Sequence, residues 1–214
     1  MAMVKCLEAE QVPVAFGYPG AAICPFYDCL ADSSVHHVLV RTEQNAAHAA
    51  SGYARISGRP GVCIATSGPG ATNLLTGIAS AYMDSIPLVV ITGQVRSDLL
   101  GRDVFQEADI TGAAEPFTKH SYIVKRTADI PQIFKEAFHI ASTGRPGPVL
   151  IDVPIDMQQH SFSNFTYDKP VDIIGYKPRI QGHSLQVRKA VEALAACKRP
   201  VLCAGGGVFS ADAQ

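Results

Sequence analysis

An α/β fold built on a parallel sheet flanked by helices is what this sequence predicts, and three observations predict it. Short apolar runs alternate with helix-length segments for roughly 150 residues. The runs at 61–66 and 87–92 are almost continuously apolar, as strands buried on both faces are. Glycine and proline cluster where the runs end. Strands separated by helices of this length pair parallel through crossover connections.

Taken in order, residues 2–10 read as an amphipathic helix, followed by a strand at 12–16 that ends in Gly17-Tyr18-Pro19-Gly20. A helix over 22–31, a strand over 36–41 and an Ala-rich helix over 43–57 come next. The strand at 61–66 runs into the turn Ser67-Gly68-Pro69-Gly70, which opens a helix over 71–83. A strand at 87–92 leads to a polar loop over 93–115, then a strand at 119–124, a helix over 130–142 and a strand at 148–153. Periodicity is lost after Asp156, where Pro, Asp, Asn and Lys cluster, so 157–182 reads as a linker. A second amphipathic helix is expected over 184–197, with Leu185, Ala190, Val191 and Leu194 on one side. Arg199 to Gly207 then reads as a fresh strand and glycine turn, the start of a second α/β domain within a longer polypeptide.

Composition removes several function classes. Hydrophobic residues make up 47% and charged residues 17% of the 214, which is a core-forming chain. A formal net charge of −1 argues against a nucleic-acid or membrane-surface role. No apolar run approaches the ~20 residues that span a bilayer. The six cysteines show no CxxC pair and no zinc spacing; Cys63 and Cys203 fall in apolar runs as small hydrophobes, and all six read as reduced thiols of a cytoplasmic protein. Adjacent His36 and His37 point to opposite faces of a strand, and no histidine cluster suggests a metal.

The chemistry collects at strand ends. In a parallel sheet the carboxyl ends share one edge, and ligands bind there. Gly17-Tyr18-Pro19-Gly20, Glu43, Ser67-Gly68-Pro69-Gly70 and Thr92-Gly93-Gln94 follow successive strands. Alone, Glu43 reads as a dipole partner in the first turn of its helix. Alone, each glycine turn is what any α/β fold needs. Gathered at one edge, glycines that admit a ligand close to the backbone flank a candidate catalytic carboxylate. Neither glycine turn is a standard phosphate loop. The turn Ser67-Gly68-Pro69-Gly70 lacks the Lys-Ser/Thr ending, and Gly205-Gly206-Gly207 lacks the G-x-G-x-x-G spacing.

With those residues laid out, the chain resembles the catalytic large subunit of acetolactate synthase, a thiamine-diphosphate enzyme. The resemblance rests on FGYPGAAI (16–23), RTEQNAAHAASGYAR (41–55), TSGPGATNLLTGIASAYMDSIPLVVITGQV (66–95), FQEAD (105–109), PFTKHSYIVK (116–125) and TGRPGPVLIDVPIDMQ (143–158). It implies a pyrimidine-binding domain over 1–156, the linker 157–182 and, over 183–214, the beginning of a central domain of the FAD-binding type. It also implies decarboxylation of pyruvate and condensation with a second 2-keto acid, pyruvate or 2-ketobutyrate, in branched-chain amino acid biosynthesis. A homodimer or tetramer with a regulatory small subunit would go with that activity.

Residue roles follow from the same resemblance. Glu43 matches the carboxylate that exchanges a proton with N1′ of the cofactor's aminopyrimidine and so promotes loss of the thiazolium C2 proton. Tyr18, Pro19 and Gly20 resemble the loop beside that ring. Gln106 matches a glutamine at the cofactor and substrate end of the site, while Phe105 and Lys119 match residues near the substrate entrance. Ser85 and Arg145 match positions that contact FAD. Ala21 stands where the family usually has a second glycine. No Gly-Asp-Gly occurs, so the magnesium ligands and most FAD contacts are expected outside these residues, and no metal ligand is expected within them. Another thiamine-diphosphate decarboxylase or oxidase is the nearby alternative, with FQEAD and PFTKH favouring acetolactate synthase. A dimerisation module without activity of its own is the alternative from another class.

Overall fold

Strand β1 (Val14–Gly17) pairs on one side with β2 (His36–Leu39) and on the other with β3 (Gly61–Ala65). Beyond β3 lie β4 (Leu88–Gln94), then β6 (Pro148–Pro154), and at the far edge β5 (His120–Ile123). Every pairing is parallel. The computed structural model describes residues 1–211. The sheet belongs to a unit that spans Met1–Ile174, and a second unit begins at Gly175.

Helices cover both faces of the sheet. On one face α3 (Glu43–Ser57), α5 (Leu75–Met83) and α6 (Ile110–Ala114) bury Ala46, Ala47, Ala50, Ile78, Ala81, Ile110 and Ala114 against Cys63, Ala65, Leu88, Val90 and Leu150. The alanines let α3 approach the sheet closely, and it ends at Gly58, whose left-handed φ of 68° closes the helix. On the other face α1 (Ala2–Ala9) packs with α2 (Cys24–Ala31) and α7 (Ile130–Ser142). Leu7, Phe26, Phe134 and Ala137 are fully or almost fully buried there. Two-sided cover explains why β3, β4 and β6 are buried at every residue.

The predicted helix over 71–83 is two pieces, α4 (Pro69–Asn73) and α5, interrupted at Leu74. Proline at the first turn is compatible with a helix start, so α4 begins two residues earlier than its apolar pattern. Within the polar loop, Asp109 accepts from Gly112 N at 2.9 Å and caps α6. Past β6 the chain continues as α8 (Ile155–Gln159). The segment predicted as a linker then returns to the first unit as far as Ile174. Lys135 Nζ donates to the Tyr167 carbonyl at 2.6 Å, and Tyr167 Oη donates to Glu10 Oε1 at 2.8 Å.

The second unit contains α9 (Ser184–Ala196) and α10 (Gly206–Ser210) among the described residues. Helix α9 forms where its periodicity predicted, with Leu185, Val191 and Leu194 exposed. The strand predicted from Arg199 does not form among the described residues, and Cys203 is exposed rather than packed. A strand needs a ladder partner for its backbone N–H and C=O groups, and no described residue supplies one there. Residues 212–214 of the predicted second domain lie outside the described residues.

A buried carboxylate joins the two central strands. Asp152 on β6 is 1% exposed and accepts from Thr92 Oγ1 at 2.6 Å and Gln94 Nε2 at 2.9 Å, both on β4. Burial pushes its carboxyl up to about 7, with the two donors pulling the other way. Because the folded value lies above the unfolded one, the folded state binds the extra proton, and this contribution to stability is lost as pH rises from the ordinary carboxyl range through about 7. Asp152→Asn removes that titration. Thermal unfolding across pH 5–8 should therefore show the wild type losing melting temperature relative to the variant as pH rises; parallel curves would exclude the effect.

Candidate functional site

Strand order reverses between β1 and β3. From β1 the chain crosses to β2 on one side, and from β3 it proceeds to β4 on the other. Connections that leave in opposite directions open a crevice at the carboxyl ends, which is where α/β sheets bind ligands. The Tyr18–Gly20 loop follows β1 and the Ser67–Gly70 turn follows β3, so both leave the sheet at this reversal.

Two hydrogen bonds tie the segment after β1 to the end of β3. Tyr18 N donates to the Ile64 carbonyl at 3.2 Å, and Ala22 N donates to Thr66 Oγ1 at 3.2 Å. Tyr18 itself is 41% exposed. Glu43 is the first residue of α3 and half-buried. Asn73, at the end of α4, donates through Nδ2 to Glu43 Oε2 at 2.9 Å. A Cβ on Gly70 would lie 3.2 Å from Glu43 Oε1 and 2.8 Å from Thr66 Cγ2, so glycine is the residue that leaves room for the carboxylate. Glu43 Oε1 accepts no hydrogen bond among the described residues.

The FQEAD segment closes over the same turn. Gly68 has φ 58°, and a Cβ there would meet the Gln106 carbonyl oxygen at 2.7 Å. Gln106 is itself left-handed, with φ 59°. Glu107 accepts from Gly101 N and from Val104 N, the latter at 3.1 Å. Those amides hold its carboxyl below the usual range. Gln94 Nε2 reaches across to the Ala108 carbonyl at 2.9 Å. Glu107, Ala108 and Asp109 are therefore the anchors of this loop. Phe105, 88% exposed, and Gln106 are what it presents.

The other three predicted site residues lie at the opposite edge. Lys119 precedes β5, and its backbone N donates to the Pro148 carbonyl where β6 begins. Its Nζ donates to the carbonyls of Ile140 and of Thr143, the latter at 2.7 Å, where α7 ends. Arg145 Nε donates to Ser85 Oγ at 2.7 Å, and its Nη2 to the Tyr82 and Met83 carbonyls at 3.3 Å, where α5 ends. Both cations meet the negative ends of helices that run antiparallel to the strands. The structure brings Ser85 to Arg145, but brings neither of them, nor Lys119, to Glu43.

Residues 1–113 match the family described as thiamine pyrophosphate enzyme, N-terminal TPP binding domain. The chain belongs to that family. Across its whole length the thiamine pyrophosphate enzyme chain is 54% identical to the acetolactate synthase large subunit of Corynebacterium glutamicum, over 214 residues that are 34% of that protein. It is 51% identical to the large subunit of Buchnera aphidicola, over 99% of this chain and 38% of the relative, and 48% identical to that of Haemophilus influenzae, over 98% and 37%. The chain thus spans little more than a third of the curated relatives it matches.

Asn73 and Thr66 did not stand out as site residues in the sequence, whereas Gln94 was marked only by its place at a strand end. Asn73 reads as one more polar position on a helix. Asp152 carries a visible signal, a lone carboxylate inside the apolar run 149–153. Among the described residues no group of three or more His, Cys, Asp or Glu side chains gathers to hold a metal ion. No helix among them is long and apolar enough to cross a membrane.

Lys119→Met removes the donor that meets the end of α7. Urea unfolding should show a loss of about 1.5–3 kcal/mol, the usual size for a charged hydrogen bond. An unchanged midpoint would mean that the contact is energetically idle.

Proposed function

We propose that the chain carries the pyrimidine-binding half of an acetolactate synthase active site. The reaction is the thiamine-diphosphate-dependent decarboxylation of pyruvate and its joining to a second 2-keto acid, pyruvate or 2-ketobutyrate, on the route to branched-chain amino acids. The observation that carries this reading is Glu43: one carboxylate at the reversal of the sheet, with Oε2 held by Asn73 and Oε1 open. The relatives, acetolactate synthase large subunits by name, support the choice among thiamine-diphosphate reactions.

The bound cofactor supplies an electron sink for the decarboxylation. The chain's own residues do the rest of the work at this edge. Glu43 Oε1 is suited to exchange a proton with a ring nitrogen. Tyr18, Pro19 and Gly20 would flank that ring, on a loop that its bonds to β3 keep in place. Gln106, set against Gly68, would face the substrate end, and Phe105 beside it would cover the entrance and exclude water.

Ser85 and Arg145 form one unit at the other edge, and we assign that unit to FAD. Lys119 belongs to the same edge, so a role at the substrate entrance requires that entrance to be long or shared with another subunit. Magnesium would accompany the cofactor diphosphate through ligands other than a cluster among the described residues. The relatives are large subunits by name, which supports a small regulatory partner here too. We place the protein in the cytoplasm as a homodimer or tetramer, with neither nucleic acid nor membrane as a partner.

The test is acetolactate formation from pyruvate by the full-length protein, with thiamine diphosphate, magnesium and FAD, comparing wild type with Glu43→Gln; the 214 residues by themselves should show no turnover. Removing the exchangeable carboxyl should cost at least about 100-fold in rate. Undiminished acetolactate would reduce Glu43 to a helix-terminus charge, and acetaldehyde or acetyl phosphate as product would move the activity to another thiamine-diphosphate enzyme.

A further inference from the structure

The Glu43 carboxylate makes one hydrogen bond among the described residues, and its donor is Asn73. The Asn73 side chain in turn makes no other hydrogen bond among them, so it is not engaged in capping α4. That capping is done by the backbone: Leu74 N donates to the Ala71 carbonyl at 3.1 Å. Asn73 is neither buried nor fully exposed, and it ends α4 where a single helix was expected to continue.

We propose that Asn73 is a positioning residue that decides which oxygen of Glu43 exchanges the proton. The proposal rests on the reading of Glu43 as the proton-exchanging group. Gly70 and Asn73 lie three residues apart on α4 and so share a side of it. Together they form a seat for the carboxylate. Gly70 leaves the space that Oε1 occupies, and Asn73 ties down Oε2.

The chemistry of the donor makes the seat selective. A side-chain amide is a neutral donor, and a carboxyl group in either protonation state keeps one oxygen able to accept from it. When Glu43 is protonated, the oxygen already accepting from Asn73 remains the acceptor, and the proton resides on Oε1. When the proton passes to a ring nitrogen, the Oε1–H bond breaks, the N–H bond forms, and the Asn73 bond persists. A cation at this position would favour the anion alone and work against proton return. No Lys, Arg or His forms an ion pair with Glu43 among the described residues. The arrangement fixes the orientation of the carboxyl group.

The test measures deuterium exchange at C2 of bound thiamine diphosphate in wild type, Asn73→Leu, Glu43→Gln and the double variant. Titration calorimetry with the magnesium salt of the cofactor and melting curves accompany it. Asn73→Leu should slow exchange about 10-fold, the scale of one lost hydrogen bond. Cofactor affinity and melting temperature should stay close to wild type. In the Glu43→Gln background the same substitution should slow exchange no further, because Asn73 acts through Glu43. Asn73→Ala, which removes the amide without added bulk, serves if the leucine variant does not fold. Exchange at the wild-type rate in the Asn73 variants overturns the proposal, and so does an equal slowing in both backgrounds. Glu43→Gln exchanging as fast as wild type would sink the reading of Glu43 itself, a result distinct from failure of Asn73 alone.

Discussion

Parallel pairing of every strand is the constraint on which the rest of this structure depends. Because no strand runs backwards, the carboxyl ends of β1, β3 and β4 share an edge, and each following turn must leave from it. The reversal of order between β1 and β3 then decides where on that edge a ligand can enter. Glu43, two turns and a short helix are brought together by topology, although residues 18 and 73 are far apart in the chain.

The edge is held by polar contacts placed where apolar packing alone would leave it loose. Asp152 joins β6 to Thr92 and Gln94 of β4, and the same Gln94 reaches the Ala108 carbonyl. One buried carboxylate thus bears indirectly on the loop that presents Phe105 and Gln106. Glu107 and Asp109 complete the anchoring through backbone amides. Loops built this way present side chains precisely placed by rigid elements beneath them, which is what a site needs if its partners are to meet without reorganisation.

The opposite edge is organised by helix ends. Lys119 and Arg145 each meet the terminal carbonyls of a helix, α7 and α5 respectively. Their motif matches marked them as ligand contacts, while their geometry shows what they do in the chain itself. The two roles are compatible for Arg145 and Ser85, which face each other, and they separate this pair from the Glu43 edge.

Much of this was written in the sequence. The almost continuously apolar runs at 61–66 and 87–92 mark buried strands because a strand covered on both faces has no polar side to alternate with. Glycine at 20, 68 and 70 and the carboxylate at 43 mark the edge, since turn chemistry and charge are local properties. What local properties do not carry is strand order and side-chain partnership. The insertion of β6 between β4 and β5, the return of Tyr167 to Glu10, and the pairing of Asn73 with Glu43 across 30 residues are long-range facts. The same limit explains the run after Arg199, apolar enough to predict a strand yet without a described neighbour to pair with. A strand is decided by its partner's backbone, and a donor by what it faces, so both belong to tertiary structure alone.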